Sequence, residues 1–334
     1  MDRDDIILRN AVLHIMDSTV GMPVLSDTLL DLNPELADFL RDHIYRIISG
    51  DDVKRCRFEE GSLVGEKLAD FSEEYLLPVS QEIAEHLYRI MNQNINIPAG
   101  DVFFVTYQTD SHLHLAILKM NYREYYVHYT ETLEEGNFND VVKQKAALPG
   151  TGKLSEAAFL DLSDHTLLLT EKKYEVNGEK VNYFSELFLQ CTTRMSQKTK
   201  LNIVTKAVEQ INKKFFEDDL DKQMEAKSII HNDIVEQGAL IPESIGEKLY
   251  GDIPEIKEEF TEKLEKYHMA TEEVKPSHPS TIKKYEKQFL TTDTGIEINI
   301  PMEEYNNKNH VEFITNPDGT ISVLIKNISH LSSR

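Results

Sequence analysis

The chain has 334 residues, 40% of them apolar, with 36 Lys and Arg against 58 Asp and Glu for a net charge of −22. That length suggests about two domains; no run nears the roughly 18 apolar residues of a membrane span and residues 1–5 lack a signal-peptide layout, so a cytoplasmic protein without membrane contact is expected. Cys56 and Cys191 are too few for a disulfide framework or a four-ligand zinc site and are read as ordinary thiols.

Ile6 to Met16 is rich in Ile, Leu and Val without helical spacing and predicts a strand, with a second short strand over Val24 to Leu30 after the turn at Gly21-Met22-Pro23. Asn33-Pro34 combines an N-cap residue with proline at the first helical position, and Leu36, Leu40, Ile44 and Ile47 mark one face of a helix ending near Gly50. Helices are also expected over Ser62–Asp70 and Ser72–Gln93, the latter with Leu76, Ile83, Leu87, Ile90 and Met91 on its buried stripe and Pro78 in its first turns. From Asp101 three β-patterned runs follow closely, VFFVTYQT, HLHLAILKM and REYYVHYTE, and predict an antiparallel meander. Val141–Ala147, Ala157–Leu162 and Thr166–Val176 read as further strands, Pro149-Gly150-Thr151-Gly152 as a loop, Asn177-Gly178 as a turn and Lys180–Cys191 as a helix.

The second half is mostly helical, with helices expected over Leu201–Phe216, Asp219–Gln237, Pro242–Tyr250 and Pro254–Met269, the last two opening on prolines. Val274–Pro279 is a candidate linker, followed by strands over Gln288–Thr291, Ile296–Ile300, His310–Thr315 and Thr320–Ile325, with Asn316-Pro317-Asp318-Gly319 as a hairpin turn. The fold class expected is α+β. An N-terminal domain over 1–192 holds helices and the antiparallel meander; a C-terminal domain over 193–334 holds helices (197–269), the linker (274–279) and a small antiparallel sheet (286–327).

Catalytic and cofactor signatures are missing: there is no GxxxxGK[ST] loop, no GxGxxG after a strand, and no HExxH, GxSxG or EF-hand pattern. Pro149-Gly150-Thr151-Gly152-Lys153 has the wrong spacing for a phosphate loop and reads as a turn. His112 and His114 share one face of a predicted strand, a geometry that could hold a metal, but no third ligand is evident and a half-exposed sheet face is preferred. Asp161 with Glu171-x-Lys173 is the nearest approach to a metal-dependent nuclease set, in which carboxylates hold a cation against the scissile phosphate. Asp161 lacks a preceding proline, and E-x-K recurs at Glu225 and Glu255, so a nuclease is a remote alternative. No cofactor is implied.

The charge is polarised along the chain. Residues 191–214 hold six bases and one acid, a local net of +5, whereas 217–267 hold fifteen acids and six bases, a local net of −9. Lys275, Lys283, Lys284 and Lys287 form a weaker basic stretch with the single acid Glu286.

Separate pieces of sequence then converge on one family. VLSDTLLDL over Val24–Leu32 behind an N-terminal strand carrying His14, VNYFSELFLQC over Val181–Cys191, TGIEINI over Thr294–Ile300 and GTISVLIK over Gly319–Lys326 resemble the NdpA-type bacterial nucleoid-associated proteins, in the right order over nearly the whole chain. The resemblance implies a cytoplasmic bacterial protein of the nucleoid that associates with DNA in chromosome organisation, and it implies no catalytic residues.

The residues themselves suggest where DNA would be met. Arg194, Lys198, Lys200, Lys206, Lys213 and Lys214 lie at the start and on the exposed face of one helix, with Lys200, Lys206, Lys213 and Lys214 on roughly one side, opposite Val204, Val208, Ile211 and Phe215. Such a stripe neutralises phosphates without reading bases. The leading expectation is a non-enzymatic DNA binder. The alternative is an adaptor whose acidic block over 217–267 binds basic DNA-handling proteins of the nucleoid. A homodimer is compatible with exposed apolar positions on the meander, although no heptad pattern marks one.

Overall fold

The computed structural model describes residues 2–17, 21–134, 136–150, 152–216, 219–330 and 332, in two compact units that divide after Ser196. Thr151 of the glycine-containing loop and residues 217–218 at the head of the acidic block lie outside the described residues.

The first unit contains β1 (Ile7–Met16), α1 (Pro34–Ile48), β2 (Lys54–Phe58), α2 (Leu63–Ala69), α3 (Leu76–Gln93), β3 (Gly100–Thr109), β4 (His112–Asn121), β5 (Arg123–Leu133), β6 (Gly136–Ala147), β7 (Glu156–Asp161), β8 (Leu167–Thr170), β9 (Tyr174–Val176), β10 (Glu179–Val181) and β11 (Cys191–Thr193). Seven of these strands form one antiparallel sheet in the order β1-β3-β4-β7-β8-β2-β11. Alternation along β3 sends Val102 and Phe104 to the face covered by α2 and α3, where they meet Ile83, Leu87 and Met91. It sends Phe103 and Val105 to the face covered by α1, where they meet Leu40, Ile44 and Ile47. Helices on both faces explain why the central strands read as unbroken apolar runs. The start of α1 is as expected: the Asn33 side chain accepts from Leu36 N at 2.9 Å, with Pro34 opening the helix.

Four expectations are corrected. The run from Arg123 does not extend the meander: β5 pairs with β6 in a separate hairpin, and β4 takes β7 as its second neighbour. Val24–Leu30 is no strand; Val24 makes one bridge to Ile15, while Ser26 N donates to His14 Nδ1 at 3.1 Å. Thr166–Val176 is broken into β8 and β9. In place of a helix over Lys180–Cys191 there is β10, a π-helical turn over Phe184–Leu189 that buries Phe184 and Phe188, and β11, joined through Gln190 at φ +48°. Strand β2 was not anticipated at all.

The second unit contains α4 (Gln197–Phe215), α5 (Leu220–Gln237), α6 (Pro242–Tyr250), α7 (Pro254–Glu265), α8 (Pro279–Ile282), β12 (Lys287–Thr291), β13 (Glu297–Pro301), α9 (Met302–Tyr305), β14 (Val311–Thr315) and β15 (Ile321–Ile325). Helices α4 to α7 enclose a core that includes Val204, Val208, Ile211, Ile230, Tyr250 and Phe260. Within Val274–Pro279, Val274 is fully buried and exchanges backbone hydrogen bonds with Leu240. The C-terminal strands make two separate hairpins, β12–β13 and β14–β15, rather than one sheet.

Candidate nucleic-acid interface

Helix α4 is built for a mixed environment. Leu201, Val204, Ala207, Val208 and Ile211 are buried against the unit's core, leaving Asn202, Lys206, Glu209 and Lys213 on the outer ridge. On one side of that ridge a groove of about 650 Å³ is bordered by Lys213, Lys227, Lys284 and Tyr285; on the other a groove of about 460 Å³ is bordered by Lys206, Lys263, Lys266 and Tyr267. Lys206 and Lys213 have no ion-pair partner among the described residues. Seven residues apart, they stand about 10 Å along the helix axis, two turns from each other.

The other candidates are placed differently. Lys200 is largely buried, its side chain only 14% exposed, and its ammonium is ion-paired with Glu272. Lys214 pairs with Glu259 at 2.6 Å and lies over the Phe215 ring at 4.7 Å. Phe215 is exposed and does not belong to the buried stripe. Lys198 is half-buried in the first turn of α4, and Arg194 is exposed just after β11, its backbone N bonded to Arg55 O, in the first unit. Of the six basic residues proposed from sequence, the ridge of α4 thus brings Lys206 and Lys213 together. Helix periodicity could not reveal the flanking Lys227, Lys263, Lys266 and Lys284, because they come from other helices and from the segment after α8. Lys227 is partly committed: it donates to Lys287 O at 2.7 Å, and burial lowers its pKa.

Beyond Lys263 and Lys266, which the second groove shares with a neighbouring hollow, carboxylates follow. Along α7, Glu255, Glu258, Glu259 and Glu262 share one face beside Lys263 and Lys266. A polyanion on the α4 ridge would therefore be confined on that side by like charge.

The other chemical candidates are not assembled. In the β7–β8 register Leu160 faces Leu167 and Ala157 faces Thr170, so Asp161 and Glu171 lie at opposite ends of the ladder, about 16 Å apart. Glu171 is committed elsewhere: its Oε1 accepts from Lys54 Nζ at 2.7 Å and its Oε2 from Ser185 N at 3.0 Å. That separation removes the nuclease arrangement. His112 and His114 do share a face, and Asp161 Oδ2 lies 3.5 and 3.7 Å from their Nδ1 atoms. His114 Nε2, however, is engaged with Thr109 Oγ1 at 2.8 Å and its ring stacks on Tyr107; among the described residues no His, Cys, Asp and Glu cluster is arranged to hold a metal. In the Pro149–Lys153 turn, Pro149 O accepts from the buried His43 Nε2 and Lys153 is ion-paired with Asp52, so both ends serve structure. Cys56 and Cys191 are buried free thiols.

A family model described as nucleoid-associated protein YejK matches residues 12–331. The chain belongs to this family. The NdpA-type proteins that its sequence resembles are the same family, whose bacterial members are nucleoid-associated and generally non-enzymatic. No curated protein matches the chain. Among the described residues no helix is long and apolar enough to cross a membrane.

Proposed function

We propose that this family member is a non-enzymatic protein that binds duplex DNA through phosphate contacts centred on Lys206 and Lys213, with Lys263, Lys266 and Lys284 at the margins. The observation that carries this reading is the ridge of α4, where two unpaired lysines two turns apart stand between two lysine-bordered grooves on an otherwise acidic chain. Contacts of this kind position a duplex without reading its sequence. Lys200 and Lys214 contribute less, because each would have to release a carboxylate first.

The test is fluorescence anisotropy with a duplex over a salt series. About four phosphate contacts give a log–log slope of affinity on salt near −4, and the Lys206→Glu, Lys213→Glu double variant lowers the slope by about two and weakens binding for every sequence alike. Salt-independent binding, or wild-type binding by the double variant, would falsify the reading.

A second reading rests on the α7 face. Glu255, Glu258, Glu259 and Glu262 present a carboxylate row to a basic protein partner, and nucleoid association would then run through that partner. Here Glu255→Lys with Glu258→Lys releases the chain from the nucleoid in cells, whereas the lysine double variant stays.

A further inference from the structure

The edge of the seven-stranded sheet away from β1 is made by β2 and β11. Cys56 and Cys191 turn inward and share a buried cluster with Leu68 and Phe188, so alternation sends Arg55, Arg57 and Thr192 to the opposite face. The register sets Thr192 against Arg57. Arg194 N donates to Arg55 O at 2.8 Å, which carries the ladder one pair beyond β11 and sets Arg194 against Arg55. Hydrogen-bonded partners in such a ladder stand about 5.5 Å apart at Cα, and outward neighbours along one strand about 7 Å apart. Three arginines thus occupy one small face of the sheet, and all three are exposed. Sequence order groups Arg194 with the lysines of α4, whereas the fold groups it with two arginines more than 130 residues earlier.

Like charges directly opposite each other destabilise a strand pair. On a chain with 58 acids against 36 bases a carboxylate would be the ordinary partner, yet none of the three guanidiniums has an ion-pair partner among the described residues. Lys54, at the head of the same strand, is paired with Glu171. The acids Glu59 and Glu60 come only after β2 and bound the face at one end. Local rules of this kind are broken mainly at functional sites, where stability is given up for a ligand. We infer that Arg55, Arg57 and Arg194 form a second surface for duplex DNA, on the first compact unit, in which the guanidiniums hold backbone phosphates. The inference rests on the reading that the chain binds duplex DNA, and adds to it a surface outside the unit that carries α4. Planar guanidiniums bind phosphate bidentately, where lysines act as point charges. The residue facing Arg57 is Thr192 rather than the large apolar anchor that a protein partner would fill, which favours a phosphate backbone over an acidic protein segment.

Fluorescence anisotropy of the full chain on a duplex over a salt series tests the inference. In the Arg55→Thr, Arg57→Thr variant the log–log slope is expected to fall by about two, and affinity on the order of tenfold or more at about 100 mM salt. The variant's melting temperature is expected to match or exceed that of the wild type, because threonine suits a strand and the opposed charges are gone. A fall in melting temperature would mean that the arginines serve the fold, and would overturn the inference. A second measurement does not depend on weakening the contact. A photoreactive group attached at Thr192→Cys labels the bound duplex, and one at Ile95→Cys, beyond the helix that covers the opposite face, does not; Cys56 and Cys191 are buried and give little background. Affinity indifferent to the arginine variant, with the Lys206→Glu, Lys213→Glu variant still weakened, overturns this inference alone and assigns the face to a carboxylate-bearing protein. The reverse pattern keeps the arginine surface and removes the α4 ridge. A wild type that binds no duplex overturns both.

Discussion

His14 has both ring nitrogens committed in a site closed to solvent. Its Nδ1 accepts from Ser26 N, so Nε2 carries the proton and donates to Ser80 Oγ at 2.9 Å, and Ser80 in turn donates to Leu77 O. Burial lowers its pKa from 6.5 to about 4. The folded protein thus keeps the imidazole neutral while the unfolded chain takes up a proton below pH 6.5, so the contribution is intact above 6.5 and is lost as pH falls towards 4. The linkage amounts to about 3 kcal/mol across that window. Urea unfolding at pH 7 and pH 5 should show a smaller loss in His14→Gln than in the wild type; equal losses would contradict the assignment. Lys119 and Glu156 face each other across β4 and β7, both fully buried, with Lys119 Nζ bonded to Pro98 O at 2.9 Å and Asn121 Nδ2 to Glu156 Oε2 at 2.9 Å. Burial takes Lys119 down to about 8. Glu156 Oε1 and Tyr183 Oη lack hydrogen-bond partners, so the pair has little to spare. Lys119→Met alone should destabilise by about 3–5 kcal/mol, because it strands a buried carboxylate, and Lys119→Met with Glu156→Leu should recover most of that. Chemical denaturation of the three proteins decides it.

At the scale of elements, Gly100 shows how tightly the strands are set. A Cβ there would stand 2.4 Å from Met120 O and 2.9 Å from Asn121 Cα, both backbone atoms that cannot swing aside. Gly100→Ala should therefore cost about 1–3 kcal/mol by forcing β3 from β4, a loss visible as a lowered melting temperature. Where an element's signal was local, it was legible: Asn33-Pro34, Pro242 and Pro254 mark three helix starts where they are found. Where the signal depended on a distant partner, it was not. Strand β2, Lys-Arg-Cys-Arg-Phe, buries only Cys56, and its sheet neighbours β8 and β11 lie more than 100 residues further on. The run Tyr125–Tyr129 looks like a core strand, since an exposed hairpin strand rich in aromatic and β-branched residues has the same local pattern as a buried one. The candidate interface divides in the same way. Periodicity placed Lys206 and Lys213 on the open ridge, but Glu272 and Glu259, which engage Lys200 and Lys214, come from 72 and 45 residues away.

At the scale of the molecule, the chain carries two separate cores, one around the seven-stranded sheet and one among α4 to α7. Residues 1–196 and 197–334 made as separate proteins should each unfold cooperatively, and the second alone should retain the salt-dependent binding of duplex DNA. A 197–334 piece that melts without a transition in circular dichroism would refute the division. The sheet order has a consequence for how the protein is made. β2 is the second strand of the sheet to leave the ribosome, yet it is flanked by β8 and by the last strand, β11. At about 5–20 residues per second, roughly 7–27 s of synthesis separate Phe58 from Thr193. The edge of β2 that takes β8 stays open until residue 170 has been made and the edge that takes β11 until residue 193, and an unpaired strand edge is a template for pairing with another chain. The sheet therefore cannot be completed until residues 191–193 have been made, immediately before α4.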